Sequence, residues 1–189
     1  MFAPIMNKPL ITMLLALACA ATAKAQGYRT ELISHATLAI ATSDLDDDGD
    51  IDLVSGGLRN LVWYVNDGSG GFEKVTLSLD AQEVQCVLVE DLDDDGHKDI
   101  VVADMAVNRI LYYRNNGDNT LILRTATGGV SGVAIADLDG DGDKDLVCAA
   151  FTANKVYWLR NDGGFAFTQF DMATGLTGAA HVQAYDYDG

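Results

Sequence analysis

The sequence predicts an all-β protein built of repeated four-stranded blades, the unit of a β-propeller, and three observations predict it. An acidic nine-residue loop recurs with a period in the forties. Apolar runs and a hairpin turn follow each copy at matching offsets. After residue 25 no segment has the periodicity of an amphipathic helix, and the chain holds only two prolines.

The loops set the alignment. Asp44-Leu-Asp-Asp-Asp-Gly-Asp-Ile-Asp52 matches Asp91-Leu-Asp-Asp-Asp-Gly-His-Lys-Asp99 and Asp137-Leu-Asp-Gly-Asp-Gly-Asp-Lys-Asp145. A fourth copy begins at Asp186-Tyr-Asp-Gly189. First aspartates stand 47, 46 and 49 residues apart, a spacing that marks a propeller or solenoid array. An apolar run precedes each loop, at residues 38–41, 86–89 and 133–136, and another follows it at 53–54, 100–103 and 146–150. A third run ends in aromatics and a turn: Trp63-Tyr64-Val65-Asn66-Asp67-Gly68, Tyr112-Tyr113-Arg114-Asn115-Asn116-Gly117 and Trp158-Leu159-Arg160-Asn161-Asp162-Gly163. Asn-Gly and Asp-Gly tolerate positive φ and favour hairpins. Residues 72–79, 120–127 and 165–170 then read as a fourth strand. The aromatics before each turn are expected to pack between neighbouring blades. Repeats fall at about residues 30–80, 81–127 and 128–173, with an incomplete fourth at 174–189, so about three and a quarter blades are present.

Charge narrows the function. Acidic residues outnumber basic ones 28 to 12, for a formal charge of −16. Such a surface repels nucleic-acid phosphates and anionic lipid. Residues 44–52, 90–99, 137–145 and 186–188 hold 19 of those 28 carboxylates, whereas a merely solvated surface would intersperse them with Lys and Arg. Clustered carboxylates suit a divalent cation.

The loop pattern points to calcium, which takes six to eight oxygen ligands. Candidate ligands are Asp44, Asp46, Asp48, Asp50 and Asp52 in the first loop, and Asp91, Asp93, Asp95, His97 and Asp99 in the second. Asp137, Asp139, Asp141, Asp143 and Asp145 are the third set, and Asp186 and Asp188 begin the fourth. Positions 1, 3, 5 and 9 offer carboxylates. Glycine at position 6 permits the sharp turn. Position 7 (Asp50, His97, Asp143) offers a backbone carbonyl, so its side chain is free to vary. Leu45, Leu92 and Leu138 are expected to point inward and anchor the loops. An EF-hand would need Glu at position 12 and flanking helices; here position 12 is Ser55, Val102 or Cys148, between strand-like flanks. Magnesium is the competing ion, but four or more protein oxygens in a flexible loop favour calcium. No His/Cys cluster suggests a transition metal.

Lys8, the apolar run 10–23 and Ala23-Lys24-Ala25 form a signal-peptide pattern over residues 1–25. Residues 26–189 are then the exported domain, secreted, extracellular or in the cell envelope. No later apolar stretch is long enough to span a membrane as a helix. An oxidising compartment would allow Cys86 and Cys148 to bond, but their unrelated repeat positions favour two buried thiols.

Asp-x-Asp-x-Asp-Gly-x-x-Asp, followed by apolar strands, Trp/Tyr-rich strands and Asn-Asp-Gly, resembles the FG-GAP/VCBS repeats, also found in the integrin α-subunit propeller. The resemblance covers nearly all of residues 30–189. It implies propeller blades in which the calcium loop joins the first two strands. The present repeats do not close a ring of about seven blades, so a propeller cut short is expected. It further implies an interaction or adhesion module for an extracellular protein or carbohydrate, with structural Ca2+. The alternative is part of a polysaccharide-acting lyase or hydrolase with catalytic residues elsewhere. His35, His97 and His181 stand in different repeats with no nucleophile spacing, and Glu73 and Asp104 read as ordinary surface carboxylates. No catalytic residue is assigned.

Overall fold

A computed structural model describes residues 37–78, 81–117, 121–127, 130–164 and 166–185. The signal-peptide segment 1–25, together with Asp186 and Asp188 of the fourth loop, lies outside the described residues.

Among the described residues, twelve strands form three four-stranded antiparallel sheets, each ordered as the chain runs. The first holds β1 (Thr37–Ser43), β2 (Asp52–Gly57), β3 (Asn60–Asn66) and β4 (Phe72–Ser78). The second holds β5 (Val84–Glu90), β6 (Asp99–Asp104), β7 (Arg109–Asn115) and β8 (Leu121–Thr127). The third holds β9 (Gly132–Ala136), β10 (Asp145–Ala150), β11 (Lys155–Asn161) and β12 (Phe167–Thr174). These are the four runs per repeat read from the sequence, with β12 shifted a few residues toward the C-terminus. The sheets are blade-like, and these three do not close into a ring.

Strand chemistry follows position. β6 and β10 are buried along their whole length, so past their opening aspartates they run through Val, Ala, Ile, Leu and Cys without polar alternation. In each sheet the ninth loop residue opens the second strand. Asp52 pairs with Ser43, Asp99 with Glu90 and Asp145 with Ala136. The acidic loop is therefore held at both ends by a ladder.

Two core clusters lie between successive sheets. One joins Leu45, Val54, Leu61 and Trp63 of the first repeat to Val84, Val87, Ile100 and Leu111 of the second. The other joins Leu92, Val101 and Tyr112 to Val133, Leu146, Cys148 and Tyr157. Burial of such side chains is worth about 1.5–3 kcal/mol each, so sheet-on-sheet packing dominates stability. β5 lies so close to β2 that a Cβ on Gly56 would sit 2.2 Å from Val84 Cγ1. Tyr112 meets Phe167 edge-on across the second junction, with ring centroids 5.5 Å apart.

Four expectations need comment. Trp63, Tyr112 and Tyr113 pack between sheets as expected, but Trp158 lies on Phe170 of its own sheet. Cys86 and Cys148 are free thiols of one cluster, and burial pushes Cys148 up to about 12. Asp104 is not a surface carboxylate. It is fully buried, accepts the backbone N–H groups of Gln82 and Glu83 at 3.0 Å each, and lies 3.5 Å from Arg109. It fixes the segment entering β5. Leu45 and Leu92 point inward as expected, whereas Leu138 is 40% exposed. No described sheet packs over the third loop.

Candidate metal centres

Each loop curls by the same backbone logic. Glycine at position 6 adopts a φ of 92°, 93° or 101° at Gly49, Gly96 and Gly142. A Cβ there would meet nothing within 4 Å, so the left-handed backbone alone requires glycine. Its N–H donates to the position-1 carboxylate at 3.0 Å in all three loops. The position-7 N–H donates to the position-5 carboxylate: Asp50 to Asp48 at 2.9 Å, His97 to Asp95 at 3.0 Å, and Asp143 to Asp141 at 2.9 Å. One oxygen of Asp44, Asp48 and Asp91 shapes the loop, which leaves the other for a ligand, whereas Asp137 accepts with both oxygens, from the Gly140 N–H at 2.7 Å and the Gly142 N–H at 3.0 Å, and the second oxygen of Asp95 faces Arg114.

The position-9 aspartates, Asp52, Asp99 and Asp145, are buried. Each accepts the N–H of the loop leucine, at 3.2, 2.9 and 2.9 Å. Each also accepts the backbone N–H of the hairpin asparagine: Asn66 at 2.7 Å, Asn115 at 2.9 Å and Asn161 at 2.8 Å. Trp63 Nε1 adds a third bond to Asp52 at 3.0 Å.

The loops gather carboxylates into three groups: Asp44, Asp46 and Asp48; Asp91, Asp93 and Asp99; and Asp137, Asp139 and Asp145. In each group one oxygen per residue lies within 4.8 Å of the others. Oxygens held about 2.3–2.6 Å from one calcium are up to about 5 Å apart, so the donor sets fit that ion. A second observation supports the fit. Asp44 Oδ1, Asp46 Oδ1, Asp91 Oδ1 and Asp93 Oδ1 are buried and have no hydrogen-bond partner. Unpartnered buried acceptors are costly, and a cation would satisfy them.

Of the residues expected as ligands, Asp52 stands outside the first group, and Asp95 and Asp141 outside the second and third. Position-7 side chains turn to the hairpins: a Cβ on Gly68 would lie 2.1 Å from Asp50 Oδ2, and one on Gly117 would lie 2.3 Å from His97 Nε2. His97 is not merely tolerated. Its Nδ1 lies 2.5 Å from Asp47 Oδ2 of the preceding loop, and that carboxylate raises the His97 pKa.

Electrostatics record the crowding. Burial pushes Asp99 up to about 6 against its two N–H bonds, with Asp93 and Asp95 adding repulsion. Burial first, then Asp52 and Asp48, raises Asp46. Asp139 is raised by desolvation and then by Asp141. Arg114 answers the second loop, with Nε 2.5 Å from Asp93 and an NH2 group 3.3 Å from Asp95. Sequence reading missed Arg114 and the hairpin asparagines as parts of the site. Their signal was a fixed place in the turn, which reads first as turn chemistry.

An FG-GAP-like repeat profile matches residues 91–148 and 137–189, together more than half of the chain. The chain belongs to the FG-GAP-like repeat family. The matched segments span the second and third acidic loops in full. Among solved structures, one similar chain comes from a study of specific recognition of non-reducing terminal N-acetylglucosamine by an Agrocybe aegerita lectin. The two superpose with a TM-score of 0.51 at 22% identity. The alignment covers 77% of this chain and 39% of that one, a likeness of fold. A comparison with curated proteins finds no match. Among the described residues, no helix is long and apolar enough to cross a membrane.

Proposed function

We propose that this FG-GAP-like chain is a secreted or cell-surface module that binds calcium in its loops and recognises a protein or carbohydrate. Its sheets are blades of a propeller, and calcium is structural. The carrying observation is the set of buried, unpartnered carboxylate oxygens inside the carboxylate groups of the first two loops. Such oxygens repel one another and lack solvent. Bound calcium supplies the positive charge that offsets them. The chain's part is to hold the oxygens in place, through glycine N–H bonds at position 1 and asparagine N–H bonds at position 9. Extracellular calcium modules bind at about 0.1–1 mM, which favours an exported protein over a cytosolic one. Carbohydrate recognition draws support from the lectin whose fold the chain shares and from the family's repeats.

Calorimetric unfolding of the chain in calcium and in EDTA tests the metal reading. Each site at about ten times its Kd adds about 1.4 kcal/mol, so a clear rise in Tm is expected. An unchanged Tm would remove calcium from the account. Glycan-array and surface-capture measurements in calcium, repeated in EDTA, test the recognition reading. Binding to a defined glycan or protein that EDTA abolishes is the expected result.

A further inference from the structure

We propose that Asn115 and Asn161 are positioning residues that couple the acidic loops, so that calcium fills neighbouring loops cooperatively. This rests on the calcium reading above and adds a mechanism of linkage to it.

The hairpin asparagine is a hub in each of the three described sheets. Its side-chain oxygen accepts the N–H of the turn glycine, at 3.1, 3.0 and 3.1 Å for Gly68, Gly117 and Gly163. Its Nδ2 donates to the carbonyl of loop position 8: Ile51 at 3.0 Å, Lys98 at 3.3 Å and Lys144 at 3.1 Å. In the second and third repeats Nδ2 also crosses to the preceding loop. Asn115 donates to the carbonyl of Leu45 at 2.7 Å, and Asn161 to that of Leu92 at 2.9 Å.

These bonds join into one buried line. Asp52 holds the Leu45 N–H, and the Leu45 carbonyl holds Asn115. The Asn115 N–H holds Asp99, and Asp99 also holds the Leu92 N–H. The Leu92 carbonyl then holds Asn161, whose N–H holds Asp145. Asp99 and Asp145 belong to the carboxylate groups of the second and third loops. Fixing the curl of one loop therefore places the acceptor for the next repeat's asparagine, and that asparagine orients a candidate ligand of the next loop. A cation that orders one loop lowers the ordering cost at its neighbour, which is positive coupling and is reciprocal. Hydrogen bonds in such a buried chain also strengthen one another.

Asn66 provides the control. It makes the same own-repeat bonds, and among the described residues no bond from it to another loop is present. The test is isothermal titration of the full chain with calcium. Wild type should bind with a Hill coefficient above one. Asn115→Ala should bind less steeply than wild type, the second and third loops staying linked through Asn161, and its weakened sites should bind about tenfold more weakly, within the usual range of coupling factors, while Asn66→Ala keeps the wild-type steepness. Should Asn115→Ala fail to fold by circular dichroism, Asp46→Ala serves instead: it disables the first loop, and the affinity of the remaining sites should fall by a similar factor. Independent sites in wild type, or identical curves for the two asparagine variants, would overturn the coupling while leaving calcium binding intact. Calcium uptake by none of the proteins would overturn the calcium reading and the coupling together.

Discussion

The second and third acidic loops share a pattern and differ in surroundings. Leu92 is 2% exposed and its carbonyl receives Asn161, whereas Leu138 is 40% exposed. Asp91 and Asp93 are half-buried with orphaned oxygens, whereas Asp137 and Asp139 are exposed. Sequence fixes how a loop curls; the neighbouring sheet fixes how dry it is. Dryness sets the electrostatic demand, because repulsion between carboxylates grows as water is excluded.

Leucine truncation should give the largest difference. Leu92→Ala removes a fully buried side chain and should cost about 2–5 kcal/mol in urea unfolding, while Leu138→Ala should stay within about 0.5 kcal/mol. Equal costs would contradict the contrast. Next, Asp93→Ala should lower Tm in calcium by the equivalent of about 1.4 kcal/mol at tenfold saturation, and little in EDTA. Asp139→Ala, in the open loop, should show a smaller gap between the two conditions.

A pH series comes third. An ordinary aspartate titrates near 3.9, so between about pH 4 and pH 6 the folded, cation-free chain keeps a proton on Asp99 that the unfolded chain has lost. That contribution is present at the acid side and disappears as pH rises through the window. Melting in EDTA should therefore fall with pH more steeply for wild type than for Asp99→Asn. Parallel curves would exclude the shift. In calcium the trend should reverse, because protons compete for the ligands. The smallest effect belongs to Arg114→Gln. Arg114 is part-exposed and pairs with Asp93 and Asp95, so removing it should tighten calcium binding by less than about fivefold, read by titration calorimetry.

Much of this was legible in the sequence. The strands followed from apolar runs between turn residues, and the carboxylate groups from aspartates at alternate loop positions. The exposure of Leu138, the burial of Asp104 and the Asp47–His97 pair were not legible. Each depends on which segment lies opposite, often tens of residues away, and no local pattern encodes that. The asparagines were visible as hairpin residues, but their second role is a contact with another repeat.

The asparagine bonds also carry a consequence for the order of folding. Asn115 lies 70 residues beyond Leu45, and Asn161 lies 69 beyond Leu92. The first and second loops each gain their last bond only when the following repeat arrives. Contacts of that separation form slowly, and in stacked repeats structure propagates from neighbour to neighbour. A chain that emerges N-terminus first would close its first two loops in sequence, each newly folded sheet locking the loop before it.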